Sequence, residues 1–286
     1  MATRVYIDGE IQDEKSASVP VWDRGFLYGD SVYEVTRTFG GKPFALEEHL
    51  ERLEKSGEGI GMKLPPRESI RRAVDETLRS GANPESYIRI IVTRGAGDIG
   101  LDPALADKPR LIVIVRPTTG PDPKLVENGV DVAIVGVRRN SPRAIDPSVK
   151  SGNYLNNVLA LGEAKRRFGA YEAVMCDAEG RLAECSASNI FAVEGGRVLT
   201  PALEIGILHG ITRQKVLELA AQAGIPTEEA ELSPDDLRRA DEAFLTSSVR
   251  GVLPVVRVDG EPIGSGKPGP VTRKLMALYD QLTHRG

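Results

Sequence analysis

Three short segments in the second half of the chain carry residue types that could do chemistry together. Lys150 lies in the loop 144–154, and Glu184 follows a predicted turn. The segment Gly210-Ile-Thr-Arg213 precedes a stretch with the composition of a helix. Lysine is an amine that can form an imine with an aldehyde, and a carboxylate can hold a ring nitrogen in its protonated form. The free backbone N–H groups of a helix N-terminus bind phosphate.

Each feature also has an ordinary explanation. Lys150 could be a solvated charge, Glu184 a carboxylate in a turn, and Thr212 a simple helix cap. Lys150 is singled out because Ser-Gly-Asn-Tyr follows it and an apolar helix begins there, which would fix its side chain against packed structure. The segment Thr246-Ser-Ser248 adds hydroxyl and amide donors at a strand end. Together, an amine, an acid and an anion cradle are what a pyridoxal 5′-phosphate site needs.

Composition narrows the class of protein. A length of 286 residues favours roughly two domains. Hydrophobic residues at 41% and charged residues at 27% are typical of a globular protein. A net charge of -4 argues against a nucleic-acid or acidic-membrane partner. Because the first ten residues lack the apolar core of a signal peptide and no apolar stretch could cross a bilayer, we expect a cytoplasmic enzyme.

The cysteines and histidines do not indicate a disulfide or a metal site. Cys176 and Cys185 flank a predicted hairpin turn, and we expect both to be small buried hydrophobic side chains. His49, His209 and His284 lie far apart, without the spacing of metal ligands. Zinc chemistry is therefore not expected.

The residue pattern predicts an α+β fold. In the first half we predict a hairpin around Asp8-Gly9, strands at 31–39, 86–93 and 111–115, and helices at 46–60 and 67–80. The glycine-rich segment 94–103 is expected to be a substrate loop. In the second half we predict strands at 130–137, 173–176, 189–193 and 198–200, and helices at 156–168, 212–223, 234–240 and 270–282.

The proline-rich and turn-rich segment around residues 117–123 marks the predicted domain boundary. We therefore predict a smaller N-terminal α/β domain at 1–116 and an interdomain linker at 117–124. A larger C-terminal domain at 125–286 would carry Lys150.

Several motifs in order resemble the class IV, or fold-type IV, pyridoxal phosphate aminotransferases. They include Asp23-Arg-Gly-Phe-Leu-Tyr-Gly-Asp30, Glu48-His-Leu-Glu-Arg-Leu53 and Gly269-Pro-Val-Thr272, and the resemblance covers nearly the whole chain. The family contains branched-chain aminotransferases, D-amino acid aminotransferases and aminodeoxychorismate lyases. The resemblance implies two α/β domains of the D-amino acid aminotransferase-like architecture, with the cofactor between them. It also implies a homodimer whose partner contributes to the site.

The same resemblance assigns roles to individual residues. Lys150 would be the Schiff-base lysine and the proton shuttle, Glu184 would bind the pyridine nitrogen, and Tyr154 would bind the phenolic oxygen of the ring. The phosphate would be held by a set that combines a guanidinium with backbone and hydroxyl donors, namely Arg52, Ile211, Thr212, Ser247 and Ser248. Without the resemblance, Arg52 would be interpreted as a surface ion-pair partner of Glu48 one helical turn away.

The motifs that set substrate choice are mixed. Branched-chain enzymes resemble Tyr-Gly-x-x-x-Phe-Glu-Gly-x-Arg followed by Tyr-x-Arg, which Tyr28, Arg37, Tyr87 and Arg89 fit. Tyr33 and Val35 resemble the D-amino acid enzymes instead. The segment Ile99-Gly100-Leu101 stands where D-specific enzymes carry an Arg-x-His carboxylate trap. The predicted substrate-binding residues are Tyr28, Tyr33, Val35, Arg37, Tyr87, Arg89, Val249 and Arg250. Arg250 could instead face solvent.

The resemblance implies a transaminase that moves an amino group between a branched-chain L-amino acid (leucine, isoleucine or valine) and 2-oxoglutarate by a ping-pong mechanism. A D-amino acid aminotransferase of unusual type is the first alternative. An (R)-amine transaminase and an aminodeoxychorismate lyase follow it. A cofactor-binding scaffold without catalysis is the interpretation from a different class, and the presence of Lys150, Glu184 and the Gly210-Ile-Thr-Arg213 segment argues against it.

Overall fold

The structure, a computed structural model, describes residues 1–284, and this described chain separates into two compact units. The first unit is Met1–Thr119 together with Val149–Asn153, and the second is Gly120–Ser148 together with residues 154–284. Both units mix helices and strands, as the predicted α+β class requires. The limits 1–116, 117–124 and 125–286 stay a prediction for the domains. The short segment that holds Lys150 nevertheless groups with the first unit and not with the chain on either side of it.

Across residues 1–119 the first unit contains one six-stranded antiparallel sheet with the order β2-β1-β6-β5-β3-β4. Its strands are β1 (Arg4–Ile7), β2 (Glu10–Asp13), β3 (Ser31–Phe39), β4 (Lys42–Pro43), β5 (Ser86–Thr93) and β6 (Arg110–Pro117). Its helices are α1 (Arg24–Tyr28), α2 (Leu46–Gly59) and α3 (Arg67–Gly81), and a 3-10 turn spans Pro103–Leu105.

Helices α2 and α3 form the core of this unit with the sheet. Apolar residues recur at helical spacing, so Leu50 and Leu53 lie on one face of α2, and Ile70 and Val74 lie on one face of α3. These side chains are buried in one cluster with apolar residues of the central strands, which are Val32, Ile88, Ile90, Val92, Val113 and Val115. The cluster supports the strands that carry most of the predicted substrate residues.

In residues 120–284 the second unit contains a nine-stranded mixed sheet. The order is β12-β11-β10-β13-β14-β7-β8-β9, with β15 paired to β14. Its strands are β7 (Val130–Ile134), β8 (Glu172–Cys176), β9 (Leu182–Cys185), β10 (Asn189–Glu194), β11 (Arg197–Pro201), β12 (Thr227–Ala230), β13 (Glu242–Ser247), β14 (Gly251–Val258) and β15 (Glu261–Pro262). Its helices are α4 (Pro123–Asn128), α5 (Leu155–Phe168), α6 (Ile211–Gln222), α7 (Pro234–Arg239) and α8 (Pro270–His284), and a 3-10 turn spans Leu203–Ile205.

Two kinds of packing stabilise the second unit. The rings of Phe191 and Phe244 stack with their centroids 4.7 Å apart on the paired strands β10 and β13. Small side chains let α5 approach the sheet closely, since Ala160 and Ala164 share a buried cluster with Ala173 of β8. The apolar interior thus fixes the strand ends that carry the polar residues of interest.

Most predicted elements are confirmed, and their bounds agree to within a few residues. Strands β3 and β5 begin and end where they were predicted. No strand was predicted between residues 176 and 189, but Glu184 lies within β9. All four residues of β9 are buried, so they give no alternating pattern that the sequence could show. Strand β7 ends at Ile134, three residues earlier than predicted. Cys176 and Cys185 are both buried and unpaired, as expected.

The described helices give one further negative finding. Within residues 1–284 none of them is both long enough and apolar enough to span a membrane.

Replacing Leu53 with Ala should test the core of the first unit. Leu53 is fully buried, so the substitution removes apolar contacts and leaves a cavity. We expect the free energy of unfolding, measured by urea denaturation, to fall by about 2–5 kcal/mol. Lys55→Ala on the exposed side of the same helix is the matched control and should cost little. A loss for Leu53→Ala no larger than that of the control would contradict this description of the core.

Candidate active site

Hydrogen bonds to β3 and α2 hold the backbone around Lys150 in the first unit. The backbone N–H of Tyr33 donates to the carbonyl oxygen of Lys150 at 2.9 Å, and the N–H of Gly152 donates to that of Ser31 at 2.8 Å. The N–H of Lys150 donates to Ser56 Oγ at 3.1 Å. Because the backbone is held from both sides, the point from which the lysine side chain extends is fixed.

The Lys150 amine lies against the ring of Tyr33. Its Nζ is 4.6 Å from the ring centroid, and the guanidinium carbon of Arg89 is 4.2 Å from the same centroid. Val35 lies directly opposite Arg89 in the β3–β5 pairing. The structure therefore brings together four residues that the sequence predicted for the site, and the electron-rich ring attracts both cations.

Strand geometry explains why the predicted substrate residues alternate along the chain. Tyr33, Val35 and Arg37 occupy every second position of β3, so their side chains share one face of the sheet. Tyr87 lies opposite Arg37, and Arg89 lies opposite Val35. The guanidinium of Arg37 stacks 4.5 Å from the ring centroid of Phe39, and its Nε donates to the carbonyl oxygen of Thr38. Arg37 is thus buried on the same face as Tyr33.

Arg52 forms a two-pronged ion pair with Glu34, a buried residue that sequence reasoning missed. Its Nε and Nη2 donate to the two carboxylate oxygens of Glu34 at 2.7 and 2.8 Å. His49 Nδ1 lies 2.7 Å from the same carboxylate, one turn from Arg52 on α2. Burial alone would raise the pKa of Glu34, but the charges of Arg52 and His49 outweigh it and hold that pKa well below its usual range. Burial lowers the pKa of His49.

Tyr28 contacts the glycine-rich loop. Its hydroxyl accepts a hydrogen bond from the backbone N–H of Gly100 at 3.2 Å, and Arg24 Nη1 donates to the Gly100 carbonyl oxygen at 2.7 Å. Ile99 and Leu101 on either side are 70% and 80% exposed. This loop carries no cation at the position of the D-specific carboxylate trap.

In the second unit, hydrogen bonds hold both oxygens of the Glu184 carboxylate. Oε1 accepts from Arg139 Nε at 2.8 Å. Oε2 accepts from the backbone N–H of Leu208 at 3.1 Å and from Asn189 Nδ2 at 3.5 Å. Arg139 and Asn189 were not predicted as site residues. A carboxylate offers about four lone-pair positions, so Glu184 still has acceptor capacity for a ligand.

Helix α6 begins beside Asn189 and lacks a side-chain cap in the described structure. Its first residues, Ile211 and Thr212, are buried, and N–H groups at these positions have no partner within a helix. A Cβ atom at Gly210 would collide with Asn189 Oδ1, so only glycine allows the helix to begin so close to that side chain. The predicted helix start is therefore confirmed, and its role as an anion cradle stays a prediction.

The end of β13 lies beside this helix start. Thr246 pairs with Asn189 across the strands, and its hydroxyl is buried without a hydrogen-bond partner among residues 1–284. Ser247 ends the strand, and Ser248 lies in the turn that follows. Buried hydroxyl groups usually have partners, so the free Thr246 hydroxyl indicates a place for a ligand atom.

Arg250 and Tyr154 complete the predicted set. Arg250 Nη1 donates to Glu172 Oε2 at 2.7 Å, and the Arg250 side chain is 21% exposed, so it is an ion-pair partner with limited exposure to solvent. Burial would lower the pKa of Arg250, but Glu172 and Tyr171 outweigh it and raise that pKa. Tyr154 is half-buried at the N-cap position of α5, and Val249 lies in the turn before Arg250.

Known proteins whose sequences are similar to this chain include aminotransferases. The model of the family "Amino-transferase class IV" matches residues 31–258. A Methanocaldococcus jannaschii protein, provisionally named a branched-chain-amino-acid aminotransferase, is 41% identical over 98% of this chain and 96% of its own. A D-alanine aminotransferase of Listeria monocytogenes is 32% identical over 96% of this chain and 94% of its own.

A solved structure of a branched-chain aminotransferase is also similar to this chain. The branched-chain aminotransferase of the thermophilic archaeon Thermoproteus uzoniensis, solved with norvaline, has a TM-score of 0.91 and 33% identity. That match covers 99% of this chain and 95% of the other. The predicted fold-type IV architecture is thereby confirmed, and the enzyme is an aminotransferase. The chain belongs to the class IV aminotransferase family.

Proposed function

We propose that the protein is a cytoplasmic pyridoxal phosphate-dependent transaminase for branched-chain L-amino acids, with 2-oxoglutarate as the amino acceptor in a ping-pong reaction. The observation that carries the proposal is the grouping of Lys150 and Arg89 on the ring of Tyr33, which sets a reactive amine beside a carboxylate-binding cation. The names of the M. jannaschii and T. uzoniensis relatives support the branched-chain substrate.

The residues present fit pyridoxal phosphate. An uncapped helix N-terminus and the unpartnered hydroxyl of Thr246 suit a phosphate, and the carboxylate of Glu184 suits a protonated ring nitrogen. We propose that Ile211, Thr212, Ser247, Ser248 and Arg52 hold the phosphate, that Glu184 holds the ring nitrogen, and that Tyr154 holds the phenolic oxygen. When bound, the cofactor supplies an aldehyde and an electron-withdrawing ring.

Lys150 would move the proton in each half of the reaction. Its Nζ would carry a proton between the substrate Cα and the cofactor, in one direction in the first half and in the opposite direction in the second. The hydrogen bonds of the Lys150 backbone to Tyr33 and Ser56 restrict where the amine can reach. The Tyr33 ring, whose centroid is 4.6 Å from Nζ, lies beside the amine and limits where it can move.

Arg89 would recognise the acceptor. 2-Oxoglutarate differs from the 2-oxo acids of leucine, isoleucine and valine by a second carboxylate, which a guanidinium binds through paired, charge-assisted hydrogen bonds. Val35 lies opposite Arg89 on the same face of the sheet and leaves less space there than glycine would. The aliphatic side chain of the donor would contact Val35, and the second carboxylate of the acceptor would contact Arg89.

A D-amino acid aminotransferase is the second candidate, and specific observations favour it. Tyr33 and Val35 resemble that group, and the D-alanine aminotransferase of L. monocytogenes is 32% identical to this chain. The exposed apolar residues Ile99 and Leu101 argue against it, since they cannot bind a carboxylate by charge. We therefore place it after the branched-chain reaction.

We also propose that the enzyme works as a homodimer on small-molecule substrates. The first unit exposes several large apolar side chains within a few residues of one another, with Val21 at 63%, Trp22 at 53% and Phe26 at 69%. A cluster of this kind favours an interface, because soluble monomers rarely leave large apolar patches uncovered.

Replacing Lys150 with Ala tests the proposed amine. The variant should lose the visible absorbance band of the lysine-bound cofactor and lose transamination by orders of magnitude, because no other group in its place can bond to the aldehyde. Absorbance spectra and product assays with leucine and 2-oxoglutarate measure both effects. Lys55→Ala, on an exposed lysine, is the control and should behave as the wild type. A surviving band in the Lys150 variant would refute the assignment.

Replacing Arg89 with Ala tests acceptor recognition. The KM for 2-oxoglutarate should rise by about tenfold or more, because a charge-assisted pair is lost. The KM for 4-methyl-2-oxopentanoate, which has one carboxylate, should change much less and serves as the internal control. Equal changes for both acceptors would point to Arg37 or another cation for the second carboxylate.

A further inference from the structure

Glu172 and Arg250 form a buried ion pair next to the turn 247–250, which joins β13 to β14. Glu172 is the first residue of β8 and is 2% exposed. Its Oε2 accepts from Arg250 Nη1 at 2.7 Å. Its Oε1 accepts from the backbone N–H of Ala187 at 2.6 Å and from Ser188 Oγ at 2.9 Å. A buried carboxylate needs partners of this kind, and here they fix it against the 186–188 turn.

The guanidinium of Arg250 joins three separate groups of the second unit. Besides Glu172, its Nε donates to Ser247 Oγ at 3.2 Å, and its Nη2 donates to the carbonyl oxygen of Ala187 at 3.3 Å. Its guanidinium carbon is 5.5 Å from the centroid of the Tyr171 ring. Each of the three nitrogens thus has an acceptor within the unit. A planar, rigid fork holds such groups at fixed relative positions.

The turn that Arg250 holds carries Ser247 and Ser248, which the proposed function assigns to the phosphate, and Val249, which the sequence predicted to bind the substrate. We infer that Arg250, anchored by Glu172, is a positioning residue that keeps this turn in its anion-binding conformation. The inference rests on the proposed function. It assigns to Arg250 a role through the turn and not a direct contact with the substrate.

A direct contact would carry a structural cost. If Arg250 left Glu172 to meet a substrate carboxylate, Glu172 would become a buried carboxylate without its cationic partner. Breaking a buried pair from one side is strongly unfavourable. It would also release Ser247 and the carbonyl oxygen of Ala187 from their donors. The partners of Arg250 therefore favour a fixed structural position.

The experiment compares purified Arg250→Ala and Arg250→Lys with the wild type. The dissociation constant of pyridoxal phosphate is measured by titrating cofactor-free protein, and kcat and KM are measured with the amino donor. Arg250→Ala should raise the dissociation constant by about tenfold or more and should raise KM more than it lowers kcat. Arg250→Lys restores the charge next to Glu172 but not the fork. It should therefore recover the midpoint of thermal unfolding more fully than the dissociation constant.

Arg181→Ala is the matched control, because Arg181 pairs with the nearly buried Asp177 in the same unit and far along the chain from this turn. It should lower the unfolding midpoint and leave the cofactor dissociation constant unchanged. If Arg250→Ala behaves in the same way, Arg250 serves stability alone and the inference is rejected.

A second variant covers the case in which Arg250→Ala fails to fold. Glu172→Gln keeps the shape of the side chain and removes the charge that anchors Arg250. A raised dissociation constant supports the inference, and an unchanged one rejects it. If the wild type itself does not bind pyridoxal phosphate, the proposed function fails. If the wild type binds and the variants bind equally well, only the role of Arg250 fails.

Discussion

The backbone pairing of segment 149–153 with β3 is the constraint on which the proposed site depends. Ser151 forms an isolated bridge with Val32, and the hydrogen bonds of Lys150 and Gly152 lie on either side of it. A Cβ atom at Gly152 would collide with the side chain of Ser31, so this close approach requires glycine. Through this pairing a lysine far along the chain becomes a neighbour of Tyr33, and the sheet that positions Arg89 also positions the amine.

Buried opposite charges form the second common feature of the polar residues. In the first unit Glu34 holds Arg52, and in the second Arg139 holds Glu184 and Glu172 holds Arg250. Removing one member of such a pair leaves the other buried without compensation, so each pair fixes both side chains. Charges that are fixed before a ligand arrives need little reorganisation when it binds or reacts, which is how enzymes stabilise changing charge most effectively.

The sequence predicted what local patterns encode. The alternation along β3 and the β-rich, apolar composition of β5 predicted their bounds, and the start of α6 was predicted to within one residue. The partners of the charged residues were missed because they are distant in the chain. Local sequence alone would pair Arg52 with Glu48 one helical turn away, whereas the structure pairs it with Glu34 on a strand. Similarly, 45 residues separate Arg139 from Glu184.

Contacts between residues that are distant in the chain also decide substrate choice, so the sequence did not resolve it. The residues on the β3–β5 face match two groups of class IV enzymes at once, and the roles of individual site residues stay predictions. What distinguishes the two groups is which enantiomer places its Cα proton within reach of Lys150, and this depends on the arrangement of several side chains and not on any one motif.

The most direct measurement mixes cofactor-loaded enzyme with L-leucine in one cuvette and with D-alanine in another and follows the visible absorbance of the cofactor without an acceptor. We expect the band to disappear with L-leucine, because without an acceptor the first half of the reaction stops with the amino group on the cofactor, and to persist with D-alanine. Loss of the band with D-alanine alone would contradict the branched-chain assignment. It would require another cation to take the place of the carboxylate trap that is absent at Ile99-Gly100-Leu101.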